Sequence, residues 1–116
     1  MEIWHNPRCS KSRRALKLLE DAGVEPEVRR YLDDPPTAAE LDAALDALGL
    51  EPWEIARMGE ARAKELGLRG IERDRDTWIG LLVANPILIE RPIVIADDGR
   101  AILGRPPEVV STLLSG

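Results

Sequence analysis

The chain has 116 residues, 44% hydrophobic and 32% charged, which fits one folded domain and excludes a wholly disordered chain. Its net charge of −5 argues against a general nucleic-acid binder, and one cysteine with one histidine excludes an internal disulfide and a cysteine-rich zinc site. No apolar run approaches the roughly 20 residues that cross a bilayer, and the start shows no signal-peptide pattern, so a reducing, cytoplasmic compartment is expected.

Taken in order, Met1 to His5 reads as a first strand anchored by Ile3. A helix follows from about Ser10 to Ala22, with Ala15, Leu18, Leu19 and Ala22 at helical spacing on one face. Gly23 is a candidate C-cap. Glu27 to Leu32 reads as a second strand bearing Val28 and Tyr31. Strand, helix and strand of these lengths predict a βαβ unit with parallel strands.

Asp33-Asp34-Pro35-Pro36 breaks the chain. Thr37 and Glu40 have capping-box spacing ahead of Leu41, Ala44, Leu45 and Leu48, and Gly49 ends that helix. Pro52 to Arg57 predicts a helical turn with Trp53 buried. Glu60 to Leu66 predicts a short helix closed by Gly67, and residues 70–75 a polar connector. Asp76 or Thr77 can cap a helix carrying Trp78, Leu81 and Leu82, stopped at Asn85-Pro86.

Ile93 to Ala96 is the strongest strand signal. Asp98-Gly99 centres a hairpin turn that returns through Ala101 to Leu103. A last helix carries Val109, Val110, Leu113 and Leu114, with Pro106 suited to its first position. The order βαβ, helices, ββα predicts an α/β fold with a thioredoxin-like core. A helical insertion lies between the second and third strands, at about residues 37–85. Residues 1–116 are expected to form a single domain.

The chemistry concentrates in Trp4-His5-Asn6-Pro7-Arg8-Cys9-Ser10-Lys11-Ser12-Arg13. Pro7 breaks the backbone just ahead of Cys9, which places the thiol at a helix N-terminus. Unpaired N–H groups and the positive helix end stabilise an anion there, so the thiolate is favoured. Arg8, Lys11 and Arg13 add positive charge and attract anions. A lone cysteine is more often a small buried hydrophobe than a nucleophile; charged and polar neighbours, a strand-to-helix turn and surrounding cations in an acidic chain favour reactivity here.

These motifs, with Tyr31-Leu32, Pro35-Pro36-Thr37, Glu65-Leu66-Gly67-Leu68, Asn85-Pro86-Ile87-Leu88-Ile89, Arg91-Pro92-Ile93-Val94 and Gly104-Arg105-Pro106, follow one another along nearly the whole chain. In that order the chain resembles the arsenate reductase family that depends on glutathione and glutaredoxin. The resemblance implies a thioredoxin/glutaredoxin-like fold and Cys9 as the catalytic nucleophile toward arsenate. It implies Arg57, Arg91 and Arg105 as oxyanion-binding residues, with Arg57 in the least matched stretch. It implies His5, Ser12 and Arg13 as groups that stabilise the thiolate, and Pro92 as a cis-proline near the site. It also implies glutathione as co-substrate, glutaredoxin as partner, no bound cofactor and no metal. A monomer is expected, without nucleic-acid or membrane partners.

Arginine suits this task on physical grounds, since its planar fork stays charged and matches the acceptor oxygens of an oxyanion. Two other readings stay open. A thiol reductase of the same fold could use glutathione on another substrate, since Cys9 to Ser12 has Cys-x-x-Ser spacing. A regulator that binds RNA polymerase shares the first turn, but its usual Cys-x-x-Cys switch is absent here because Ser12 stands at the second position.

Overall fold

The computed structural model describes residues 1–114. Its elements run β1 (Glu2–Trp4), α1 (Ser10–Asp21), β2 (Glu27–Arg29), α2 (Ala38–Leu48), α3 (Ala61–Leu66), α4 (Arg75–Ala84), β3 (Ile93–Ile95) and β4 (Ala101–Leu103). The chain forms two compact units, one of Met1–Asp34 with Arg91–Gly116 and one of Pro35–Glu90.

The first unit holds a four-stranded sheet in the order β2-β1-β3-β4. β1 pairs parallel with β2 and antiparallel with β3, and β3 pairs antiparallel with β4. Strand alternation puts Ile3 and its cross-strand partner Val94 on one face. That face packs with Ala15 and Leu19 of α1 and with Val110 and Leu113 of the C-terminal segment. Ile3, Leu19 and Val94 are fully buried, and each such aliphatic side chain contributes roughly 1.5–3 kcal/mol through removal from water.

Several local expectations shift for physical reasons. β2 is shorter than predicted and lies at the sheet edge, which leaves Val28 exposed, while Tyr31 is fully buried just beyond the strand. Ala22 closes α1 and faces solvent rather than the core, because the chain turns at Gly23. The last helix is a 3-10 segment, Pro107–Leu113, and Pro106 precedes it in an extended conformation. Three residues per turn align Val110 with Leu113 in the core. Val109 is accordingly half-buried and Leu114 exposed.

The second unit is helical and extends a few residues beyond the predicted insertion at both ends. Thr37 accepts from the Glu40 N–H while the Glu40 carboxylate accepts from the Thr37 N–H, which closes the capping box that starts α2. Gly49 takes φ +70° at the C-cap, a conformation that favours glycine. α4 is capped by Asp74 rather than Asp76 or Thr77; its carboxylate accepts from the Thr77 N–H and hydroxyl. Asp76 instead sits in the first turn, where a negative charge suits the helix dipole. Trp53 is half-buried and meets Trp78 edge-on at 6.2 Å, while its neighbour Ile55 is buried. No described helix is long and apolar enough to cross a membrane.

Candidate active site

The thiol turn is built from β1 outward. His5 follows the strand, and its N–H donates to the Arg29 carbonyl, continuing the β1–β2 ladder. Asn6 is buried and ties down the turn that follows it, through Arg8 and Cys9. Its carbonyl accepts from the Cys9 N–H at 3.0 Å and its side-chain oxygen from the Arg8 N–H at 3.0 Å. Cys9 then stands at the N-cap of α1 in an extended conformation, with its carbonyl accepting the first helical bond from Arg13. Arg13 Nη1 donates to the Pro7 carbonyl at 2.9 Å and so braces the turn.

The Cys9 sulfur is half-buried. Burial alone works against the thiolate. The backbone N–H of Ser12, the Arg91 guanidinium and the backbone N–H of Lys11 outweigh that penalty and hold the thiol pKa below its ordinary value. Arg91 acts both through a hydrogen bond and through its charge.

His5 and Ser12 form the layer behind the thiol. His5 Nδ1 lies 2.7 Å from Ser12 Oγ, and the Asn6 N–H donates to the same oxygen at 3.1 Å. Both side chains are buried. Burial lowers the His5 pKa first, and Arg30 and Arg13 lower it further against a weaker opposing pull from Glu20. His5 is therefore neutral at neutral pH, and the Ser12 hydroxyl can give its proton to Nδ1. Ser12 serves the sulfur through its main-chain N–H, while its hydroxyl fixes the turn. Arg13 donates to the Pro7 carbonyl and braces the turn; the groups that lower the thiol pKa are Ser12, Arg91 and Lys11.

Arg91 is buried and its peptide bond to Pro92 is cis, as is that between Arg105 and Pro106. The two segments are fastened together. The Gly104 N–H donates to the Pro92 carbonyl at 2.8 Å, and Arg105 Nη1 donates to the Arg91 carbonyl at 3.1 Å. A Cβ on Gly104 would lie 2.7 Å from Pro92 Cγ. The sequence gives Gly104 no role of its own. The sole hint is its place before the second Arg-Pro pair.

Arg57 belongs to the helical unit. It is held by Glu60 at 3.1 Å and Glu90 at 2.6 Å, and these partners keep its pKa raised against burial. The structure thus brings His5, Cys9, Ser12, Arg13, Arg91, Pro92 and Arg105 into one unit, and Arg57 into the other. Among the described residues no cluster of three or more histidine, cysteine or acidic side chains could hold a metal.

A sheet of this order, with a helix-capping cysteine served by the arginine of a cis Arg-Pro pair, defines a thioredoxin-like protein with an electropositive thiol site. Residues 4–113 match the ArsC family, and the chain belongs to it. It is 44% identical over 115 residues to an arsenate reductase of Neisseria meningitidis serogroup A, covering 98% of this chain and 97% of that protein. It is 53% identical over 118 residues to an uncharacterized protein in the glnII region of Streptomyces viridochromogenes, with 99% of each covered. The arsenate reductase of Vibrio cholerae superposes with a TM-score of 0.91 at 42% identity, covering 97% of this chain and 95% of that one.

Proposed function

We propose that this protein reduces arsenate to arsenite through a covalent adduct on Cys9, with glutathione and glutaredoxin supplying the electrons. The observation that carries the reading is the convergence of two helix-start amides and the Arg91 guanidinium on one sulfur. An anion-favouring turn that makes a thiolate also draws in an oxyanion. Kinship with proteins named arsenate reductase supplies the substrate.

The steps balance as follows. The Cys9 thiolate attacks arsenic, and one arsenate oxygen leaves as water after protonation. A glutathione thiolate then attacks the Cys9 sulfur. A disulfide bond forms, the As–S electron pair passes to arsenic, and arsenite departs. A glutaredoxin thiol attacks the mixed disulfide and restores Cys9. The chain has no second cysteine, so the resolving thiol comes from outside. In this reading Arg91 and Arg105 hold the oxyanion, and Arg57 is the third arginine that the family resemblance implies for that role. His5, Ser12 and Arg13 keep the thiol turn in its thiolate-favouring shape, and Pro92 lines the site. Every group named belongs to one chain, so a monomer suffices. Dependence on glutathione fits a cytoplasmic setting.

One observation favours a second reading. Two carboxylates already occupy Arg57, so an oxyanion would have to compete for it. A glutathione-dependent thiol reductase acting on another substrate needs no third arginine. Arsenate-dependent NADPH oxidation with glutathione, glutathione reductase and glutaredoxin separates the two. Turnover that Cys9→Ser lowers by at least about 10³-fold supports arsenate reduction. Turnover of a mixed disulfide with glutathione, but none of arsenate, supports the second reading.

A further inference from the structure

The helical unit carries a cavity of about 450 Å³ walled by Trp53, Met58, Leu68 and Trp78, with Arg69 and Arg73 at its rim. Its size falls in the range of roughly 300–1,000 Å³ typical of small-molecule sites. A smaller cavity of about 260 Å³ adjoins it, sharing Met58 and Arg69 and adding Lys64. Nothing in the thiol chemistry uses this place.

The arginines of this unit fall into two groups. Arg57, Arg62 and Arg75 are each ion-paired, Arg75 with three carboxylates. Arg69 and Arg73 have no carboxylate partner among the described residues, although the chain is acidic overall. Arg73 instead lies over the Trp53 ring, 5.7 Å from its centroid, which holds its charge at the cavity wall. Trp53 in turn is positioned by Trp78. An apolar, aromatic hollow with uncompensated guanidinium groups at its mouth suits one kind of occupant. That occupant has an apolar body and a negative head.

We propose that this cavity binds a small amphipathic anion, a carboxylate or sulfonate carrying an aromatic or aliphatic body. The apolar body lies against the two tryptophans, and the anionic head meets Arg69 and Arg73.

The test uses the full chain and anilinonaphthalene sulfonate as the probe, followed by its own emission and by energy transfer from tryptophan. The proposal expects saturable binding by the folded protein. It expects Arg69→Glu with Arg73→Glu to weaken that binding roughly tenfold at low salt. Arg14→Glu with Arg62→Glu makes the same change in net charge at residues that line neither cavity and should leave binding within about twofold, since salt screens charges that do not touch the ligand. Circular dichroism shows that each variant is folded. On the unaltered protein, octanoate should displace the probe and octanol should not. Equal weakening in both double variants, no saturable binding, or equal displacement by octanol would overturn the proposal.

Discussion

Arginines do different work in the two units. In the helical unit Arg75 meets Asp42, Asp46 and Glu51, and Arg57 meets Glu60 and Glu90. Those guanidinium charges are spent on holding helices and turns together. Around the thiol, Arg13 and Arg105 donate to the carbonyls of Pro7 and Arg91. A carbonyl fixes a guanidinium without cancelling its charge. The contrast lies in what each arginine holds: carboxylates at Arg57 and Arg75, main-chain carbonyls at Arg13 and Arg105, and the sulfur itself at Arg91.

The largest expected effect comes from breaking the thiol side of that contrast. Arg91→Ala removes the guanidinium hydrogen bond and its charge from Cys9, so the thiol pKa rises. It should lower arsenate-reduction kcat/KM by roughly 10²–10³, the scale of losing one donor to developing charge. Arg91→Lys restores charge without the planar fork and should recover the thiol pKa more than the rate. Steady-state kinetics beside a thiol titration read the two separately.

Gly104→Ala tests the fastening between the two Arg-Pro segments. The added Cβ would stand 2.7 Å from a Pro92 ring carbon, and overpacking of this kind costs about 1–3 kcal/mol. Thermal melting should show a midpoint several degrees lower, and displacement of Pro92 should also shift Arg91 and slow alkylation of Cys9. A variant that melts and alkylates like the parent would show that the contact holds nothing in place.

His5 gives a pH signature with a definite sign. Its folded pKa lies below the ordinary value of 6.5, so the unfolded chain takes up a proton that the folded chain resists. The stability from neutral His5 is complete above about pH 6.5 and declines as pH falls toward the lowered folded value. Melting between pH 7.5 and 5 should show this loss, and His5→Asn should flatten it. A His5→Asn profile parallel to the parent's would remove His5 from the account.

The smallest effect belongs to the other side. Arg75→Ala breaks three ion pairs whose partners are well exposed. It should cost about 1 kcal/mol or less, and less still at high salt. The thiol titration should not move.

Much of this was legible in the residues. The Thr37–Glu40 capping box, the αL glycines at 49 and 67 and the Asp-Gly hairpin carry local signals that survive folding unchanged. Cys9 was legible as a helix-start thiol because Pro7 and three cations surround it. What escaped depends on contacts distant in sequence. Glu90 lies 33 residues from Arg57, and no local pattern pairs them, although the Glu60 partner at three residues' separation could have been read. That Ser12 serves the sulfur through its amide while its hydroxyl turns to His5 is a matter of rotamer, which spacing does not encode. Glycine at 104 looks like any turn glycine until the Pro92 ring is seen against it. Trp53 reads as core by composition, but the aromatic pair it forms stands at a cavity wall.

The central claim is that Cys9 is a thiolate poised beside an oxyanion site with Arg91 as its main cation. It is tested most directly by the rate of Cys9 alkylation with iodoacetamide across pH, measured with and without arsenate. The account predicts a midpoint below the ordinary thiol value, protection by arsenate in the parent protein, and loss of both in Arg91→Ala. An ordinary midpoint, with alkylation indifferent to arsenate, would contradict it.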